Sequence, residues 1–104
     1  MLINDKAPSV HTHVINGTRE INVDNWTLAA NDDGYYYNTV TVDSISASDN
    51  PIVDIVLTSN KQENEDYLRA WGCIDRIETQ TKTIILYAKE RPTNNFTMQF
   101  KVIR

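Results

Sequence analysis

The sequence predicts an all-β fold: an antiparallel Ig-like β-sandwich of about six strands, with one short helix and an extended N-terminal leader. Three observations carry this. Short runs alternate apolar and polar residues with a period of two, turn residues separate them at fairly regular spacing, and only one stretch, near residues 60–71, switches to a helical period. At 104 residues the chain makes one domain. A domain of this size buries roughly 65% of its unfolded surface, enough for one modest core without staples. The leader takes residues 1–18 and the sandwich residues 19–104.

Each element has its own signal. Residues 1–18 contain Pro8 and no helical apolar period, so they read as extended chain. Arg19 to Val23 places Ile21 and Val23 on one face, with Trp26 and Leu28 following. Asn31-Asp32-Asp33-Gly34 is a turn signal, and its Asp-Gly pair suits a tight hairpin. In Tyr35 to Val42, Tyr36, Val40 and Val42 share one parity, while Tyr35, Tyr37, Thr39 and Thr41 share the other. Pro51 opens the next run, in which Val53, Ile55 and Leu57 face one way.

The helix is expected over about Asn60 to Trp71. Ser59 and Gln62 match a capping box, Tyr67, Leu68 and Trp71 recur on one side, and Glu65 pairs with Arg69 at i, i+4. Gly72 fits a left-handed position past the helix end. Two strands follow, near Cys73 to Thr79 and Thr83 to Ala88. The first alternates poorly. The second is apolar on both faces, as a central strand or a subunit contact would be. The last run puts Phe96, Met98, Phe100 and Val102 inward.

Composition narrows the function. A net charge of −4 argues against nucleic acid as the main partner, since phosphate binding needs a basic footprint. No apolar run approaches the ~20 residues of a membrane span, and the start of the chain has no basic-then-apolar secretory pattern. One cysteine, Cys73, excludes an internal disulfide, and no Cys/His/Asn pattern makes it a nucleophile. There is no Ser-His-Asp order, no Gly-rich phosphate loop and no Cys/His zinc spacing, so no enzyme is expected. The sequons at Asn16, Asn25 and Asn95 matter only in a eukaryotic secretory pathway.

The candidate sites are few. His11 and His13 are the only histidines, one residue apart, and in extended chain both imidazoles face one side. They can meet one partner, ion or symmetry axis. The alternative is a pair of solvated histidines. Tyr35, Tyr37 and Trp71 are candidate contacts for a saccharide, since aromatic faces bind apolar sugar faces; the competing reading puts Trp26, Tyr36 and Trp71 in the core and turns Tyr35 and Tyr37 outward or into a subunit contact. Asp32-Asp33 and Glu63, Glu65 and Asp66 are acidic clusters explained by a turn and by a helix N-terminus.

Two parts of the chain resemble known proteins. Trp26, Tyr36 to Val42, Pro51 to Ile55, Tyr67 to Gly72, Thr83 to Ala88, Pro92 and Phe100 to Ile103 together resemble a small domain of tail and baseplate appendage proteins from phages of Gram-positive bacteria. This likeness covers roughly residues 20–104. The segment Ala7-Pro8-Ser9-Val10-His11-Thr12-His13 resembles the A-P-x-x-H-T-H signature of phage tail fibres and spikes. The resemblance implies a structural tail component of a virion or prophage, often a homotrimer, with a host-surface role and other tail proteins as partners. It implies a virion location, with host cytoplasm during assembly. It also implies that His11 and His13 of three chains hold one metal ion on the three-fold axis; two imidazoles from one chain are too few, but the six nitrogens of such a trimer suit octahedral Fe2+, or Ni2+ or Co2+, rather than tetrahedral zinc, in a structural site that fails as pH falls below about 6 because ligation needs neutral imidazole. A rival function is a carbohydrate-binding module for bacterial cell-wall polysaccharide, and another is a chaperone or regulatory partner of a fibre.

Overall fold

The computed structural model describes residues 14–29 and 34–103. They form an antiparallel β-sandwich. The strands are β1 (Val14–Ile21), β2 (Thr27–Leu28), β3 (Tyr36–Thr41), β4 (Ile52–Ile55), β5 (Ile74–Gln80), β6 (Thr83–Ala88) and β7 (Phe96–Ile103), with α1 (Lys61–Trp71) between β4 and β5. One sheet has the order β1-β7-β4 and the other β2-β3-β6-β5. The helix therefore carries the chain from one sheet to the other, as a crossover.

The two-residue alternation of β7 decides the core. Phe96, Met98, Phe100 and Val102 are buried, and Thr97, Gln99, Lys101 and Ile103 turn outward. Across the interior, β6 answers with Ile84, Leu86 and Ala88, all fully buried. Ile21, Trp26, Val40, Val42, Ile45 and Ile55 complete the cluster. β6 is central in its sheet, flanked by β3 and β5, as the first of the two alternatives had it.

Several expectations are corrected. The leader boundary at residue 18 falls inside β1, because Val14 to Ile21 pair along the whole of β7. The inward positions of β1 are Ile15, Gly17, Arg19 and Ile21, too mixed to show as apolar alternation. Val23 lies in a short 3-10 turn, Val23–Asn25, rather than in a strand. β2 and β3 pair as a hairpin, and Ala29 N–H donates to the Tyr35 carbonyl at 2.9 Å just beyond that pairing, while the expected turn at Asn31 to Asp33 lies outside the described residues. Leu57 lies beyond β4 and is exposed.

The poor alternation of β5 has a clear cause. Ile74 pairs with Ala88 and Arg76 with Tyr87, so Asp75 is an extra, bulged residue. The bulge resets the parity. Ile74 and Ile77 both pack inward although they are three apart, and Arg76 and Glu78 face out. The β5–β6 turn, Thr81-Lys82, holds Lys82 at φ 61°, in the left-handed region. Two backbone bonds of 2.9 Å fix it there: Lys82 N–H to the Ile45 carbonyl, and Val42 N–H to the Lys82 carbonyl.

The helix starts one residue later than the capping box suggested. Asn60 is the N-cap, and its side chain accepts from Glu63 N–H at 3.0 Å. Asn64 adds a reciprocal pair with the backbone of Thr58, both at 2.8 Å. Arg69 pairs with Asp66 at 3.0 Å rather than with Glu65. Tyr67, Ala70 and Trp71 face the core, and Leu68 is exposed. Gly72 stays right-handed (φ −64°), its N–H reaching the Leu68 carbonyl at 2.9 Å, because the chain turns directly into β5. Asn60→Ala is expected to lower stability by about 1 kcal/mol, read as a lower urea midpoint at unchanged slope.

Candidate functional site

The outward positions of the β2-β3-β6-β5 sheet collect most of the chemistry the described residues offer. Thr27 lies opposite Tyr37, Tyr37 opposite Tyr87, and Tyr87 opposite Arg76. One row therefore crosses all four strands. At an inter-strand spacing of about 4.8 Å it runs roughly 14 Å. A second row holds Thr39, Ile85 and Glu78.

Contacts between neighbours stiffen this face. The Arg76 guanidinium lies 3.8 Å from the Tyr87 ring centroid and 5.6 Å from that of Tyr35. Tyr35 meets Tyr87 edge-on, with centroids 6.5 Å apart. The Tyr35 hydroxyl donates to the Asp75 carboxylate, and Arg76 is ion-paired with Glu78. The Tyr87 hydroxyl donates to Glu78 at 3.5 Å. Arg76 thus lies across the Tyr87 ring, while Tyr37, half-buried beside exposed Thr27 and Thr39, is the aromatic next in the row. An aromatic ring flanked by hydroxyls, a guanidinium and carboxylates is a set that stacks on the C–H face of a sugar and hydrogen-bonds its hydroxyls.

The structure splits the predicted trio. Tyr35 and Tyr37 share this face. Trp71 does not: it packs on the core, edge-on to Phe96 at a centroid distance of 5.8 Å, and is withdrawn as a saccharide contact. Tyr87 and Arg76 were missed. Tyr87 was visible only as the second apolar face of β6, and Arg76 was hidden by the parity change at Asp75.

The remaining candidates divide plainly. His11 and His13, and with them the Fe2+ expectation, lie outside the described residues, as do Asp32 and Asp33. Glu63 and Asp66 serve the helix: Glu63 N–H is capped by Asn60, and Asp66 pairs with Arg69. Among the described residues, no group of three or more His, Cys, Asp or Glu is placed to hold a metal ion. The Cys73 thiol points at the Arg69 carbonyl, 3.6 Å away. Burial, then the Glu90 charge, push its pKa up against an opposing effect of Lys89, so it stays protonated and weakly nucleophilic at neutral pH. Asn95 is structural: its side-chain oxygen accepts from Val23 N–H at 2.7 Å. No helix among the described residues is long and apolar enough to cross a membrane.

No known protein family, curated protein or solved structure matches the chain.

Proposed function

We propose that this protein is a non-catalytic structural component of a phage or prophage tail or baseplate, of the kind its sequence resembles, and that its sandwich attaches to the host surface. The observation that carries the attachment role is the tyrosine row on the outer face of the β2-β3-β6-β5 sheet, with Tyr37 at its centre. The ligand class is bacterial cell-wall polysaccharide, which lies along the row, stacks on Tyr37 and hydrogen-bonds Thr27, Thr39 and Arg76. In this reading residues 1–13, with His11 and His13, gather copies into a homotrimer and join them to other tail proteins. The protein then works in the virion, and in host cytoplasm during assembly.

Retention of the purified chain on cell-wall polysaccharide from Gram-positive cells tests the attachment role. Tyr37→Ala is expected to weaken binding at least tenfold, equivalent to about 1.4 kcal/mol, with the unfolding midpoint little changed because the residue lies outside the core. Wild-type protein that shows no retention, or a variant that binds as well as wild type, sinks the polysaccharide reading.

A further inference from the structure

We propose that the tyrosine row selects an uncharged polysaccharide and turns away polyanionic, phosphodiester-linked wall polymers, and that Glu78 and Asp75 set this specificity. The inference deepens the attachment reading above and rests on it.

The charges on this face are few and already committed. In its two rows the charged residues are Arg76 and Glu78, and Asp75 lies beside them in the bulge. The Arg76 guanidinium donates through Nη1 to Glu78 Oε2. It also lies over the Tyr87 ring, 3.8 Å from the centroid. Glu78 Oε1 accepts from the Tyr87 hydroxyl at 3.5 Å, and Asp75 Oδ2 accepts from the Tyr35 hydroxyl. One cation and two anions leave the face with one net negative charge. Lys89, just past β6, lines instead the cavity at the end of α1, together with Arg69, Arg91, Asp66 and Glu90.

Hydrogen bonding decides against a phosphodiester. Its oxygens only accept, and ionised Glu78 and Asp75 only accept. Sugar hydroxyls donate as well as accept, so they can donate to these carboxylates and accept from the hydroxyls of Thr27 or Thr39. Charge decides the same way. Arginine is a common phosphate partner because its N–H fork takes two oxygens at once. Here Glu78 already holds part of that fork, and a phosphate arriving at Arg76 must displace a carboxylate or lie against it. A polyanion meets this repulsion wherever a charged unit crosses the Arg76 end of the row, and the net charge of −4 on the whole chain repels it at longer range. Stacking of a sugar C–H face on Tyr37 supplies affinity, and the two carboxylates supply the choice between polymers.

Retention of the full chain on phosphate-free wall polysaccharide and on glucosylated teichoic acid tests this, since both probes offer sugar rings. Binding at the row is the part that Tyr37→Ala removes. Wild type is expected to bind the uncharged polymer about tenfold or more tighter at the row. Glu78→Gln and Asp75→Asn are each expected to narrow that preference by about threefold or more, because each removes a negative charge and keeps an acceptor oxygen. The wild-type preference is also expected to shrink as sodium chloride rises from about 0.01 M to about 0.1 M and the screening length falls from about 30 Å to about 10 Å. Equal or tighter binding of teichoic acid at the row overturns the proposal and leaves the attachment reading standing. Two variants that both keep the wild-type preference overturn it as well, since the carboxylates then make no choice. Wild type that binds neither polymer overturns the attachment reading and this inference together.

Discussion

Phe96→Ala is expected to lower the unfolding free energy by about 3–5 kcal/mol. Phe96 is 1% exposed, opens β7, pairs with Ile21 and meets Trp71 edge-on. Phe96 pairs with Ile21 of β1, and on the other edge Val56 N–H holds the carbonyl of the next residue, Thr97, at 2.8 Å, so the backbone here cannot collapse into the void. Trp71 is held back from it too, because Lys89 N–H donates to the Cys73 carbonyl at 3.0 Å and ties the end of α1 to the end of β6. The loss therefore combines the transfer term with a cavity term. A domain of this size has roughly 5–15 kcal/mol in total, so the variant is brought near its unfolding threshold. Urea unfolding followed by tryptophan fluorescence measures it. A loss under 1.5 kcal/mol would show that α1 moves inward to close the cavity, and that the helix is not anchored as described.

Gly17→Ala is expected to destabilise by about 1–3 kcal/mol through overpacking, against the usual sign of such a change. Replacing glycine by alanine at a compatible strand position normally stabilises by about 0.4–1 kcal/mol through the unfolded chain. Here the added Cβ would lie 2.9 Å from Phe100 Cζ and 3.2 Å from Cε1. The ring is 4% exposed, and the Arg19 guanidinium lies 5.5 Å from its centroid while donating to the Thr41 carbonyl at 3.2 Å. Phe100 therefore has little room to yield. Gly17→Ala combined with Phe100→Leu is expected to cost less than the sum of the two single changes, and a double-mutant cycle in urea reads that coupling. Strict additivity would mean that the ring does not limit residue 17.

These cases show which inferences can be made from sequence. β7 is legible because all four inward residues are large and apolar and all its outward ones except Ile103 are polar, so one strand carries its own orientation. β1 is not, because two of its inward positions are Gly17 and Arg19, chosen for their fit against Phe100 rather than for apolarity. The helix is legible to within a residue, yet its cap is Asn60 rather than Ser59, since both can accept a backbone N–H and only the approach of the chain from β4 selects between them.

The same division holds at the candidate site. Tyr35 and Tyr37 follow from parity within one strand. Their partners do not: Tyr87 and Arg76 arrive from β6 and β5, and the bulge at Asp75 inverts the parity by which Arg76 would have been placed. Residue type alone suits Trp71 to a sugar face, but it takes the core reading and packs edge-on against Phe96. Local patterning is enough for the two layers, the crossover helix and the residues that fill the space between the sheets, because periodicity is local and burial drives it. It does not say which outward side chains become neighbours. That depends on strand order, register and one extra residue in β5, and hydrophobic patterning is silent about each of them.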